Sequence, residues 1–192
     1  MPNISAHMVV AKKVGEKLNI TSDDFIRGNL LPDIIDMKDS HHKVSNGIYL
    51  VPNIKYYLKK LDLTNDLHIG YLVHLLLDKY YLEDYISKIY PNRNVFLDRK
   101  IYRDYDYINN KLVKKYSLNI KRLEKLLLEY DCKILKEKLK YNIECLKQTK
   151  SGKLKYLDFN SFSQFLLDVS KTISKELADY ERKSSKLYIH TR

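Results

Sequence analysis

The sequence predicts an all-α protein that folds as one bundle of several helices. Three observations lead to this prediction. Apolar residues recur at helical spacing along most of the 192 residues. Only 5 Gly and 4 Pro occur, too few for a turn-rich sandwich or barrel. No stretch rich in Gly, Ser or Pro divides the chain, so we predict a single domain over residues 1–192.

The first two helices are predicted from their capping residues. Asn3 or Ser5 can cap the first helix, whose apolar residues follow at helical spacing. Thr21 or Ser22, followed by two aspartates, is a typical beginning for the second. We expect this second helix to be short, because Gly28 and a proline four residues later both oppose helix formation.

An irregular loop and several further helices complete the prediction. Residues 31–46 lack helical periodicity and are predicted to form a loop, and residues 149–155 form the clearest late loop. Residues 1–90 form the half that carries the candidate site, and residues 91–192 add only helices. The remaining predicted helices span residues 52–61, 65–90, 101–116, 118–130, 133–147 and 160–183.

Charge and composition limit the classes of function. Lys and Arg number 35 against 24 Asp and Glu, a net charge of +11 that favours nucleic acid, phospholipid head groups or phosphorylated metabolites as partners. The same charge is also typical of solvated helix faces. Two cysteines exclude a disulfide framework, residues 1–11 do not resemble a signal peptide, and no apolar run reaches membrane-spanning length. We therefore expect a cytoplasmic protein without a membrane span.

The most informative residues are histidines, of which five of six precede residue 75. Neutral imidazole and carboxylate groups are typical ligands of zinc and similar metals. His74 and Asp78 are four residues apart in an apolar helix, so both project from one buried face. A buried aspartate without a partner costs several kcal/mol, which a cation would remove. The alternative is a hydrogen-bonded His–Asp pair in a helical core.

Three more elements carry candidate ligands. Asp33 follows Gly-Asn-Leu-Leu-Pro, His41 and His42 follow Asp-Ser, and His7 lies in the first turn of the first helix. Each also has a purely structural interpretation, namely a solvated turn, an exposed loop and a core or surface histidine.

Taken in this order, the four elements resemble the zinc-dependent phospholipase C family, which shares its all-α fold with the single-strand-specific zinc nucleases. The resemblance covers about residues 1–90. It implies that Asp33, His41, His74 and Asp78 bind one metal ion. It also implies that Asp78 bridges to a second ion, which His7 binds.

The sequence also departs from the family. His42 is the second choice for the loop ligand, because the histidine doublet leaves the register ambiguous. The family has a further histidine six residues after the bridging aspartate, where this chain has Asp84, a harder ligand. The N-terminal Trp and the later His-x-x-x-acid pair of the family are absent. The resemblance therefore implies one or two ions rather than three, with zinc preferred and iron or manganese as alternatives. In ligand type the set also resembles HD-domain phosphohydrolases.

These residues predict a metal-dependent hydrolase of phosphoesters, in which Asp33 or Asp36 orients or deprotonates the attacking water. The substrate stays open among phospholipid, nucleotide and nucleic acid. One alternative is a metal-stabilised or degenerate domain that binds a partner without catalysis. Another is nucleic-acid binding by lysine-rich helices such as residues 133–147, for which no recognised motif occurs.

Overall fold

A computed structural model describes residues 2–35, 40–47, 49–91, 95–129, 131–148, 150 and 152–189. This part of the chain is mostly helical, which confirms the all-α class. Two short strands, β1 (Lys43–Ser45) and β2 (Leu50–Pro52), pair as an antiparallel hairpin. The helices are α1 (Ile4–Leu18), α2 (Asp23–Ile34), α3 (Ile54–Leu58), α4 (Asp66–Tyr80), a π-helical segment (Tyr81–Ile86), α5 (Ser87–Ile89), α6 (Val95–Lys115), α7 (Ile120–Leu128), α8 (Lys133–Lys147) and α9 (Phe159–Ile189).

Side-chain caps fix where the site-bearing helices begin. Asn3 Oδ1 accepts a hydrogen bond from the Ala6 amide at 3.1 Å, and Ser22 Oγ accepts one from the Phe25 amide at 3.1 Å. Both caps satisfy an amide that has no partner within its own helix. Of the alternatives at each start, the structure therefore selects Asn3 and Ser22.

The prediction of a short second helix is wrong, because α2 continues through Gly28 and Pro32 to Ile34. Gly28 lies where α2 crosses α4, and a Cβ there would lie 1.8 Å from the Leu67 carbonyl oxygen. The glycine therefore permits a close helix contact rather than ending the helix. Pro32 lies in the last turn, where its missing N–H removes a single helical hydrogen bond.

The predicted loop at residues 31–46 is also partly wrong. It contains the end of α2 and the strand β1, which pairs with β2 so that Val44 faces Val51. Each strand is only three residues long. A period of two cannot be recognised over so few residues, because the pattern barely repeats once.

The core is built around α1, which contacts α2, α4, α6, α8 and α9. Val9, Val10 and Ala11 of α1 have no exposed surface, and its buried stretch begins at Ile4. The first two turns of α1 are buried on all sides, so every side chain in them points into the protein. This arrangement places His7 within the core. No helix in the described part of the chain is long and apolar enough to cross a membrane.

Asp104 of α6 anchors the segment that precedes α9. Its carboxylate is 2% exposed and accepts hydrogen bonds from the backbone amides of Lys155 (3.1 Å), Tyr156 (2.7 Å) and Leu157 (2.8 Å). Three amide donors stabilise a buried carboxylate. The carboxylate therefore holds an otherwise irregular segment against α6.

We expect the substitution Asp104→Asn to lower the free energy of unfolding by about 2–3 kcal/mol, because an amide group would place a donor against backbone donors. Urea denaturation followed by circular dichroism measures this change. Asp106→Asn is the control, since Asp106 pairs with Lys150 at the surface and should contribute less than about 1 kcal/mol. Equal losses in the two variants would contradict the anchoring role.

Candidate metal centre

Five side chains from α1, α2, α4 and the segment before β1 meet inside the bundle. His7, His41, His74 and Asp78 are at most 1% exposed, whereas the side chain of Asp33 is 27% exposed. Their ligand atoms form two groups that share His74, and within each group all atoms lie within 4.8 Å of one another. One group is His7, His74 and Asp78, and the other is Asp33, His41 and His74. The structure therefore brings together five of the seven metal ligands predicted from the sequence.

The close contact between α2 and α4 positions His74. A Cβ on Gly70 would lie 2.0 Å from the Phe25 carbonyl oxygen, so this crossing, like that at Gly28, requires glycine. The approach brings the backbone carbonyl of Asn29 to 2.7 Å from His74 Nδ1. Since a carbonyl oxygen only accepts, Nδ1 carries the hydrogen. In the neutral ring the lone pair is then on Nε2, which faces the cluster.

A second set of hydrogen bonds orients His41. Its Nδ1 lies 2.7 Å from Ser40 Oγ, a hydroxyl that can either donate or accept. The Tyr71 hydroxyl, on α4 one turn before His74, donates to the Ser40 carbonyl. The segment that carries His41 is thereby attached to the helix that carries His74 and Asp78.

Asp78 lies at the centre of the cluster, and its two carboxylate oxygens face different partners. Oδ1 is 3.5 Å from His7 Nε2. Oδ2 is 3.1 Å from His41 Nε2 and 3.5 Å from His74 Nε2. Asp33 Oδ1 lies 3.7 Å from His74 Nε2 on the side that reaches solvent.

These atoms are buried but not hydrogen bonded. Five of them have no hydrogen-bond partner among the described residues: Nε2 of His7, His41 and His74, and both carboxylate oxygens of Asp78. Unpaired polar atoms in a protein interior cost about 1–3 kcal/mol each, and an unpaired charge costs more. The structural alternative from the sequence, a His74–Asp78 pair, is present as an ion pair with 3.5 Å between Nε2 and Oδ2, without hydrogen-bond geometry.

The spacing of these atoms is compatible with a shared metal ion. Two ligands of a tetrahedral zinc ion with bonds of about 2.1 Å are separated by about 3.4 Å. An N–H···O hydrogen bond is about 2.7–3.2 Å long. Three of the four nitrogen–oxygen separations in the cluster, at 3.5–3.7 Å, match the first value and exceed the second. Imidazole nitrogens with carboxylate oxygens form a donor set that suits zinc.

The electrostatics keep the central carboxylate ionised. Burial raises the pKa of Asp78, but the surrounding histidines, His74 foremost, outweigh this effect and hold it well below its usual value. Burial lowers the pKa of His74, yet Asp33 and Asp78 reverse the shift and raise it. Burial lowers the pKa of His7, and so does His74, whose ring is stacked on it at 3.7 Å between centroids. The Asp78 carboxylate is thus an anion that protonated His74 stabilises, and a bound metal ion would take the place of the His74 proton.

Two predicted ligands lie elsewhere, and one predicted residue is not described. His42 is exposed, has a φ of 34°, and stacks on the ring of Tyr56 at 4.1 Å. The backbone turn between the two histidines directs only His41 inward. Asp84 lies on the exposed side of the π-helical segment, with Oδ1 4.0 Å from Lys88 Nζ. Asp36 lies outside the described residues.

Sequence reasoning missed the groups that orient the ligands. Asn29 acts through its backbone carbonyl, which every residue type possesses, so no residue pattern indicates it. The i, i+3 spacing of Tyr71 to His74 places it on the ligand face, but that spacing does not indicate that its hydroxyl binds the Ser40 carbonyl. The π-helical turn that follows Asp78 had no sequence signal, although such turns frequently occur at functional sites.

The fold and the site define an all-α bundle with a buried cluster of three histidines and two aspartates. Comparison with protein-family models, curated proteins and solved structures finds no match. The function must therefore be inferred from the geometry of the cluster.

Proposed function

We propose that this chain is a metal-dependent hydrolase of phosphoesters, with a bundle of the zinc-dependent phospholipase C and nuclease type. The observation that supports it most is the set of buried nitrogen and carboxylate atoms around Asp78 that lack hydrogen bonds. A divalent ion would satisfy these atoms together, and zinc suits this donor set best. Iron and manganese remain alternatives.

The two oxygens of Asp78 suggest how one or two ions would be held. Oδ2, with His41, His74 and the nearby Asp33, offers a site for one ion. Oδ1 faces His7 and offers a second position, with fewer protein ligands. Asp78 is then the bridging carboxylate, as the family resemblance implies.

Phosphoester hydrolysis is the chemistry that such a centre can support. A bound divalent ion lowers the pKa of a coordinated water and stabilises charge on phosphoryl oxygens. Asp33 is the one member of the cluster with substantial exposure, so we infer that substrate and water enter beside it. Its carboxylate can orient that water or accept its proton. Asp36 stays a candidate for the same role.

A second candidate function is a metal-stabilised domain without catalysis. It is supported by the burial of four of the five side chains in the cluster. A structural metal site is closed by protein ligands, whereas a catalytic site keeps a position open for water. In this alternative Asp33 completes the coordination and no position is exchangeable. As a hydrolase the protein would act on a phosphorylated small molecule, a lipid or nucleic acid.

Asp33→Asn tests the hydrolase directly. We expect it to weaken metal binding moderately, because three other ligands remain, and at saturating zinc or manganese to lower kcat on bis(p-nitrophenyl) phosphate or p-nitrophenyl phosphate about 100-fold. The matched control is Asp24→Asn, on the exposed start of the same helix and paired with Arg27, which should stay within about twofold. Metal uptake without turnover of either ester would favour the closed alternative, and no uptake would contradict both.

His41→Ala and His42→Ala test the ligand assignment within the doublet. We expect His41→Ala to weaken metal binding at least about 100-fold, because it removes a ligand and leaves a cavity beside Asp78. His42→Ala should bind metal as the wild type does, since its ring stacks outside the cluster. Competition titration with a chromogenic zinc chelator measures both. Equal loss in the two variants would contradict the assignment.

A further inference from the structure

A basic cavity lies on a part of the protein that the metal cluster does not use. It has a volume of about 740 Å³ and is lined by residues 152–159, which lead into α9, and by Lys111 of α6. This volume is in the usual range for small-molecule sites, about 300–1,000 Å³. None of its lining residues belongs to the metal cluster.

The wall of this cavity is held in place by two backbone contacts with α6. The Asp104 carboxylate binds three consecutive amides of the segment. The backbone at Gly152 packs against the ring of Tyr107, where an added Cβ would lie 2.4 Å from ring atoms. The lysines of the segment therefore project from an anchored backbone.

Lysines outnumber acidic residues in the lining of the cavity, three to one. Lys111, Lys153 and Lys155 form no ion pair with an acidic side chain within the described residues. The acidic residue that lines the cavity, Asp158, is engaged by the Ser161 amide at 2.7 Å, where it caps α9. The carboxylate of Asp104 is enclosed by its three amides. An anion entering the cavity would therefore meet three lysines against one carboxylate, an excess of positive charge.

Aromatic rings accompany these lysines. The Nζ atoms of Lys111 and Lys115 each lie 5.4 Å from the centroid of the half-buried Phe159 ring, and Lys100 Nζ lies 6.0 Å from that of Tyr156. Lys115 also donates to Ser163 Oγ at 2.6 Å. These ammonium groups cover the ring faces in the unliganded protein. Lysine side chains that turn to a phosphate would uncover the rings for a base, and single-stranded nucleic acid is bound by such a combination of phosphate contacts and stacking.

We propose that this basic cavity is a second binding site, for a phosphate-bearing ligand with an aromatic base. Either a free nucleotide or a segment of single-stranded nucleic acid supplies this chemistry. The lysines would contact phosphate, and Phe159 and Tyr156 would contact the base. The proposal is independent of the hydrolase function.

Fluorescence anisotropy tests the proposal with a labelled oligothymidylate of about twelve nucleotides, with phosphorothioate links against hydrolysis. We expect the triple variant Lys111→Gln, Lys153→Gln, Lys155→Gln to weaken binding at least about tenfold at low salt and to reduce the salt slope by about two units. The matched control replaces three exposed lysines of α8, Lys133, Lys138 and Lys140, with Gln. It should change binding less than about threefold.

Two further measurements separate the sources of the ligand and the role of the ring. If ADP does not displace the oligonucleotide, the ligand of the cavity is single-stranded nucleic acid. If ADP binds tightly, the ligand is a free nucleotide. Phe159→Leu, which keeps an apolar side chain, should weaken the oligonucleotide about fivefold but leave inorganic pyrophosphate unaffected. Equal weakening in the two triple variants, or no binding of oligonucleotide and ADP by the wild type, would overturn the proposal.

Discussion

Replacing Asp78 with Asn is expected to abolish metal binding and the thermal stabilisation that the metal confers. The Asp78 carboxylate is the group that faces all three histidines of the cluster. An amide is a poor ligand for zinc and removes the negative charge that favours the cation. With metal at about 1,000 times its Kd, the wild type gains about 4 kcal/mol, or about 10 °C in Tm. Asp78→Asn should gain none of it.

The measurement combines elemental analysis with thermal unfolding, on protein purified without a chelator or a metal-binding tag. The wild type is expected to hold about one to two equivalents of metal per chain, and Asp78→Asn close to none. Asp84→Asn makes the same chemical change six residues later, at an exposed carboxylate near Lys88, and should match the wild type. A wild type that neither contains nor takes up zinc or manganese would contradict the metal centre and leave an unpaired polar cluster.

The sequence was sufficient for the parts of the site that depend on helical periodicity. His74 and Asp78 share a face because they are four residues apart in one helix, and that spacing is visible without a structure. His7 could be placed in the first turn of α1 from its cap. Periodicity does not show which helices touch, so it could not show that these residues meet.

The sequence was insufficient where tertiary contacts override local preference. Gly28 and Pro32 are helix-breaking residues by propensity, yet α2 contains both, because its glycine is needed for the contact with α4. His41 and His42 could not be separated, since a segment outside a helix has no period that assigns a side chain to a face. Asp84 was expected from the family pattern alone, and it lies at the surface.

Replacing Gly70 with Ala is expected to disrupt both the packing and the site. In an ordinary helix interior the change from Gly to Ala stabilises by about 0.5–1 kcal/mol. Here the added Cβ would lie 2.0 Å from the Phe25 carbonyl oxygen and 2.9 Å from the Asn29 amide nitrogen. Because both are backbone atoms, the helices must move apart. We therefore expect a loss of at least about 3 kcal/mol in the free energy of unfolding.

The same displacement should weaken metal binding about 10- to 100-fold, because it separates His74 Nδ1 from the Asn29 carbonyl that orients the ring. Urea denaturation and chelator competition measure the two effects on one preparation. Gly47→Ala is the control. Gly47 has a φ of 99°, but no atom of the described residues lies within 4 Å of the point that its Cβ would occupy, so its cost should be about 1 kcal/mol with metal affinity unchanged. A Gly70→Ala protein as stable as the wild type would show that α2 and α4 do not touch there, and the orientation of His74 would then need another cause.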